Sequence, residues 1–224
     1  MSEFVVPPGS LILARHGQTA SNVEHRLDSR PPGAPLTELG HEQAQTLAHV
    51  YGAVDLSAVV SSVAVRARQT AAPVGAAAKT DVQVREGLQE TDAGALEDRA
   101  DREAHEEFIR VYGAWHAGDL RERIPQGESG QDVLDRFLPV VEELREEYLN
   151  DRLRSALLVS HGAAIRLVAA HLAAVHGAFA GTYHLPNTAT IILQPTPEGW
   201  RCVRWDQYMP PFLPPAQPHV EAPA

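Results

Sequence analysis

At 224 residues the chain is long enough for one generous domain, or one domain carrying an inserted lobe, and either buries a sizeable core. Its 29 acidic residues outnumber 19 basic ones, a formal net charge of −10, which argues against a surface made for nucleic acid or anionic lipid, so any bound anion must be gripped locally. The single cysteine, Cys202, rules out an internal disulfide and a multi-thiolate zinc site and fits a reducing cytoplasm.

The first residues, MSEFVVPPGS, carry Glu3 where a signal peptide would be basic and are broken by Pro7, Pro8 and Gly9, so no signal peptide is expected. SLILAR (10–15) is a short, almost wholly apolar run ending in a basic residue, the pattern of a strand buried on both faces. LTELGHEQAQTLAHVYG (36–52) follows as a helix, with Thr37 as N-cap, Ala44, Leu47, Ala48 and Tyr51 at helical spacing, and Gly52 as its stop. AVVSS (58–62) is a second strand that leads into the helical RARQTAAPVGAAA.

Residues 98–117 place Phe108, Val111, Tyr112 and Trp115 on one face of an amphipathic helix. A polar loop (118–130) and a long charged helix (131–150) come next, the latter burying Val133, Leu134, Phe137, Val140, Val141 and Leu144. SALLVSHG (155–162) repeats the strand-then-basic pattern of 10–15 and opens another helix. TATIILQ and WRCVRW read as a hairpin about PTPEG, and the proline-rich tail (209–224) as extended or disordered. Strand, helix, strand, helix implies an α/β fold with a parallel sheet covered on both sides, in one domain spanning 1–224. No apolar run is long and uncharged enough to cross a bilayer.

Four places carry chemistry: Arg15-His16-Gly17, Arg66, Glu90, and His161-Gly162. Two of them lie at the carboxyl ends of predicted strands, where open α/β sheets place their ligands, and Arg66 opens a helix just past a third. Lys79 is the sole lysine, so the basic character is nearly all guanidinium, the group suited to bidentate oxyanion contacts. A metal site of His16, His161, Glu90 and Asp92 is not expected, because HxxxH and HxH spacings are missing and the arginines would repel a cation.

In these motifs the chain resembles the histidine phosphatase superfamily, which also contains the cofactor-dependent phosphoglycerate mutases. The similarity runs in order through ARHGQTASN, LTELGHEQA, SSVAVRARQTA, LQETDAG, GES at 127–129, VSHG and PNTATI, and several ordered motifs are far more specific than one tripeptide. It implies a three-layer α/β/α fold of phosphoglycerate mutase type with a mostly parallel sheet and a small helical cap at about 91–130. It also implies His16 as the nucleophile that forms a phosphohistidine and Glu90 as general acid and base. Arg15, Arg66 and His161 would surround the phosphoryl oxygens, with Asn22, Gly17 and Gly162 as further substrate contacts.

The chemistry is consistent with these roles. Charge spread over three equatorial oxygens calls for fixed guanidinium and protonated imidazole donors. A neutral nucleophilic imidazole is best fixed by a hydrogen bond from its other nitrogen to a backbone carbonyl, and Gly17 lets backbone approach the ligand. His25, His41, His49, His105, His116, His171, His176, His184 and His219 are read as ordinary residues, and Arg68 and Arg166 as surface residues paired with carboxylates. Mutases of the family hold their second phosphate with an arginine-rich insertion. TDAGALEDRADREAHEEF (91–108) is instead acidic and lacks an adjacent arginine pair, so hydrolysis of a small phosphorylated metabolite is expected, with mutase chemistry or inert ligand binding as alternatives. Asp28 must turn from the phosphate or meet a hydroxyl or amine of the substrate. No cofactor, nucleic acid or membrane partner is expected, and a homodimer is left open.

Overall fold

The computed structural model describes residues 5–150 and 153–214. Strands β1 (Leu11–Arg15), β2 (Leu56–Ser62), β3 (Val82–Arg85), β4 (Ser155–Ser160), β5 (Thr190–Thr196) and β6 (Gly199–Trp205) form one sheet in the order β3-β2-β4-β1-β5-β6. β1, β2, β3 and β4 run parallel, and β5 and β6 add an antiparallel edge. The helices are α1 (Ala20–Val23), α2 (Glu38–Tyr51), α3 (Val65–Ala78), α4 (Arg102–His116), α5 (Gly130–Tyr148), α6 (Gly162–Leu172) and α7 (Gly177–Thr182).

The period-two alternation of the central strands sorts their side chains into two cores. From β1, Leu11 and Leu13 join Phe137 and Val141 of α5 and Ile165 and Val168 of α6. Ile12 and Ala14 join Leu47 and Ala48 of α2 and Ala67, Ala71 and Val74 of α3 on the opposite face. Strands buried on both sides therefore read as unbroken apolar runs, and each buried Leu or Ile contributes about 1.5–3 kcal/mol. The result is the three-layer arrangement the motifs implied.

Local signals set the helix bounds. Thr37 caps α2 by accepting from Gly40 N at 3.0 Å, and Gly52 is its C-cap. Ser129 and Asp132 form a reciprocal capping box that starts α5. The stretch 98–117 is shorter as a helix than its pattern suggests, because Asp101 caps α4 and the chain before it forms a 3-10 turn at Gly94–Leu96. Of the proline-rich tail, residues 209–214 are described, and Phe212 packs 5.2 Å from Phe179 between ring centroids; residues 215–224 lie outside the described set. Among the described residues no helix is long and apolar enough to cross a membrane.

Candidate active site

The register of β1 against β4 builds the site. Arg15 pairs with Ser160, so His16 and His161, the next residue on each strand, leave the sheet side by side. His16 N donates to Ser160 O at 3.0 Å, and the two imidazole centroids lie 5.2 Å apart. One strand further out, Ser61 pairs with Val159, which brings Ser62 Oγ to 2.9 Å from His161 Nε2. Arg66 enters from the first turn of α3, and its Nε donates to His16 Nε2 at 3.2 Å.

These contacts fix the tautomer of His16. Nδ1 lies 2.7 Å from Gly17 O, which only accepts, so Nδ1 carries the proton and Nε2 presents its lone pair. Burial foremost, then Arg66 and Arg15, hold the His16 pKa well below 6.5, which keeps the ring neutral at physiological pH. His161 is likewise held well below 6.5, by burial first and Arg66 next. The expected protonated imidazole is thus a neutral one with a single N–H, because burial first and the neighbouring guanidinium groups next disfavour its cation.

Arg66 is clamped on its far side. Its Nη2 donates to Asp28 O at 2.8 Å, and Nη1 lies 3.4 Å from Asp28 Oδ1, an ion pair without hydrogen-bond geometry. Asp28 Oδ2 accepts from Ser21 Oγ and Ala34 N, both at 2.9 Å. The acid at position 28 therefore faces Arg66 and its own loop. Arg15 has no carboxylate partner among the described residues: its Nη1 donates to Leu185 O at 2.7 Å and lies 3.1 Å from His184 Nε2. Burial lowers its pKa to about 10 while Glu90 raises it, so it stays cationic at neutral pH.

Seven buried side-chain nitrogen or oxygen atoms among the described residues lack a hydrogen-bond partner, and three of them are Arg15 Nε, Arg66 Nη1 and His161 Nδ1. An orphaned buried polar group costs about 1–3 kcal/mol. Arg66 Nη1 has the Asp28 carboxylate at 3.4 Å, so the unmet demand for an acceptor falls chiefly on Arg15 Nε, whose guanidinium lines the cleft beside His16 and suits an oxyanion.

Two further groups complete the cleft, which has a volume of about 400 Å³. Asn22 Oδ1 accepts from Thr19 N and from Asn187 Nδ2, both at 3.1 Å, which leaves Asn22 Nδ2 as a donor on the cleft wall. Glu90 sits at the N-terminus of α6: Oε1 accepts from Thr91 N and Ala164 N, each at 2.9 Å, and Oε2 from Ala163 N at 3.1 Å. Arg15, His16, Asn22, Arg66, Glu90 and Gly162 all line this cleft, and His161 is buried behind it.

A family model, the histidine phosphatase superfamily (branch 1), matches residues 11–207. The chain belongs to this family. Among curated relatives, a probable phosphoglycerate mutase, GpmB, of Escherichia coli is 33% identical over 153 residues, covering 68% of this chain and 69% of the relative. Among solved structures, a mycobacterial glucosyl-3-phosphoglycerate phosphatase in complex with VO3 superimposes with a TM-score of 0.76 at 29% identity, covering 88% of this chain and 98% of that one. A putative alpha-ribazole-5'-P phosphatase from Escherichia coli gives 0.70 at 26% identity, covering 88% and 96%.

Several residues of this superfamily member sit differently from their sequence reading. Gly17 is not on the cleft wall; a Cβ there would lie 2.6 Å from Gly40 O, so the glycine admits α2 rather than a ligand. Its N–H instead donates to Thr70 Oγ1 at 3.0 Å. Gly162 is small for Arg15, whose Nε would be 3.2 Å from an added Cβ. Arg68 is exposed and Arg166 lines the cleft, and neither has a carboxylate partner among the described residues. Arg166 is anchored by Gly162 O at 3.1 Å and Tyr183 O at 3.2 Å, with its guanidinium over Tyr112. His25, His105 and His184 also line the cleft.

Arg136 carries no motif signature, yet it sets the backbone around Glu90. It donates to Gly87 O, Gln89 O and Glu90 O and pairs with Glu128 at 2.7 Å, while Glu128 Oε2 accepts from Asp92 N at 2.9 Å. The signal for it was the GES motif itself, whose glutamate is the other half of that pair.

Proposed function

We propose that the protein is a metal-independent phosphomonoester hydrolase that acts on a small phosphorylated metabolite through a phosphohistidine. The observation that carries this is a His16 whose Nδ1 is held by Gly17 O, leaving the Nε2 lone pair in a cleft that Arg15 and Arg66 also line. Nε2 attacks phosphorus as the ester P–O bond breaks, and the leaving oxygen takes a proton from the Glu90 carboxyl group. Oε2, which accepts one backbone hydrogen bond where Oε1 accepts two, is the oxygen suited to carry that proton. In the second half-reaction Glu90 takes a proton from water as the oxygen attacks phosphorus. The P–N bond then breaks, the electron pair returns to Nε2, and inorganic phosphate leaves.

Hydrolysis is favoured over mutase transfer because Arg99 and Arg102, the arginines of the 91–108 segment, are engaged by Asp101 and Glu106 on an exposed face. They are not gathered into the cleft to hold a second phosphate. The similarity to glucosyl-3-phosphoglycerate and alpha-ribazole phosphatases supports the same reading. The test is phosphate release from a panel of phosphorylated metabolites with divalent metals chelated. Expected are turnover, an acid-labile phosphoenzyme, and loss of both in His16→Ala. Transfer that needs a bisphosphorylated primer and yields little free phosphate would replace this reading with the mutase one, and ligand binding without a phosphoenzyme would replace it with inert binding.

A further inference from the structure

We infer that His184 is a positioning residue for the reaction, a neutral acceptor that holds Arg15 in place without cancelling its charge. The inference rests on the reading above, that the cleft takes a phosphoryl group.

The two arginines of the cleft floor are held by opposite means. Arg66 is braced by the carboxylate of Asp28 and by the Asp28 carbonyl. Among the described residues Arg15 has as side-chain partners only the Leu185 carbonyl and the His184 ring, both on its Nη1, while its buried Nε has no hydrogen-bond partner. A guanidinium cannot accept a hydrogen bond, so the 3.1 Å contact makes His184 Nε2 the acceptor and leaves the ring proton on Nδ1.

A carboxylate in this position would orient Arg15 equally well but would face the incoming oxyanion with a negative charge. An imidazole lone pair orients without that opposition. Burial first, then the charges of Arg15 from β1 and Arg166 from α6, lower the pKa of His184 below its ordinary value. The loop that carries it is itself fixed to the nucleophile, since Asn187 Nδ2 donates to His16 O at 3.0 Å and Thr188 N to Arg15 O at 3.1 Å.

The sign of the pH effect separates this role from simple electrostatics. Protonating a histidine on the wall of an anion site would ordinarily tighten binding. Here it removes the only lone pair that Arg15 Nη1 uses on a side chain and sets two donors against each other, so binding weakens.

The experiment measures equilibrium binding of inorganic phosphate to the full-length protein by calorimetry, for the parent and for His184→Ala, His184→Gln and His184→Glu. Expected are binding about tenfold weaker in the alanine variant and within about threefold of the parent in the glutamine variant, whose Oε1 replaces the lone pair. The glutamate variant should bind no better than the alanine one. The ratio of the parent dissociation constant to that of the glutamine variant should rise as pH falls from 8 to 5, because glutamine does not titrate and every other group is shared. Alanine binding within twofold of the parent, glutamate binding as tightly as glutamine, or a ratio that does not move with pH would each overturn the assignment. Phosphate binding without ester turnover would sink the hydrolase reading alone, and no phosphate binding by the parent would sink both.

Discussion

Replacing Arg66 with lysine keeps one positive charge and removes the geometry, so it tests whether the fork or the charge matters. Arg66 is 2% exposed and spans three directions: Nε to His16 Nε2 at 3.2 Å, Nη2 to Asp28 O at 2.8 Å, and Nη1 to the Asp28 carboxylate at 3.4 Å. A lysine ammonium is one point on a flexible stem and reaches one of these at a time. A hydrogen bond to a charged group contributes about 1.5–3 kcal/mol, so the loss of one such bond within the protein costs about 2 kcal/mol of stability. For a chain of this size that lowers Tm by about 4–8 °C. Removing a preorganised donor from developing oxyanion charge costs about 10²–10³ in kcat, and retention of the charge places Arg66→Lys near the lower end of that range. The companion variant Arg66→Met removes the charge as well. Arg66 is one of the groups that depress the His16 pKa, so the methionine variant should move the acid limb of kcat/KM to higher pH as His16 becomes easier to protonate. Steady-state phosphate release across pH 4–9, with metals chelated, reads both effects. A lysine variant within threefold of the parent kcat, or an acid limb unmoved in the methionine variant, would refute the assignment of Arg66 to both tasks.

Glu90→Gln should leave hydrolysis of an activated aryl phosphate within about tenfold of the parent while slowing alkyl phosphates by about 10²–10⁴; equal losses on both would remove Glu90 as the proton donor. Gly40→Ala places a Cβ 2.1 Å from Gln18 O, a backbone atom that cannot step aside, and should destabilise the fold by several kcal/mol in urea melts. Gly113→Ala, with open space around the added methyl inside α4, should raise stability by about 0.5–1 kcal/mol. His116 is pushed down to about 4 by burial first and by Arg166 next. Above pH 6.5 neither folded nor unfolded chain protonates it, and as pH falls from 6.5 to 4 the unfolded chain takes up a proton that the folded chain refuses. At about 1.4 kcal/mol per unit, roughly 3 kcal/mol of stability is lost by pH 4, and His116→Gln should flatten that part of a urea-midpoint profile.

The core strands and the nucleophile were legible because they obey local rules. LILAR and SALLVS are apolar runs closed by a basic residue or a serine and histidine, and strands buried on both faces leave that signature. Thr37 and Gly52 mark the ends of α2 where the sequence places them. The edge strand Val82–Arg85 was missed: four residues of mixed polarity, half-covered and paired on one side only, do not stand out from a loop. The helices Ala20–Val23 and Gly177–Thr182 are too short for a period to appear. The supporting residues of the site escaped for another reason. His184, Asn187 and Arg136 act through partners 169, 171 and 46 to 49 residues away, a relation that no window along the chain contains. Arg166 looked like one half of a helix-surface ion pair by its position, yet its partners are carbonyls: Gly162 O at the start of α6 and others at the end of α7 and in the loop after it.

On the function proposed above, a protein with ten more negative than positive charges takes an anion, and its pattern of ion pairs is consistent with both facts. Many of its surface carboxylates are engaged by arginines on the same exposed faces, as in Arg99 with Asp101, Arg110 with Glu107 and Glu122, and Arg154 with Asp55, and what remains is screened within about 10 Å by salt. The cleft inverts that pattern. Asp28 is turned onto Arg66, Glu90 is held by three backbone N–H groups, and Arg15 and Arg166 keep their full charge because carbonyls and an imidazole, rather than carboxylates, hold them. Local choice of acceptor, neutral at Arg15 and Arg166 and charged at Arg26 and Arg66, therefore decides which cations are left to meet an oxyanion, and net charge decides only what approaches from a distance.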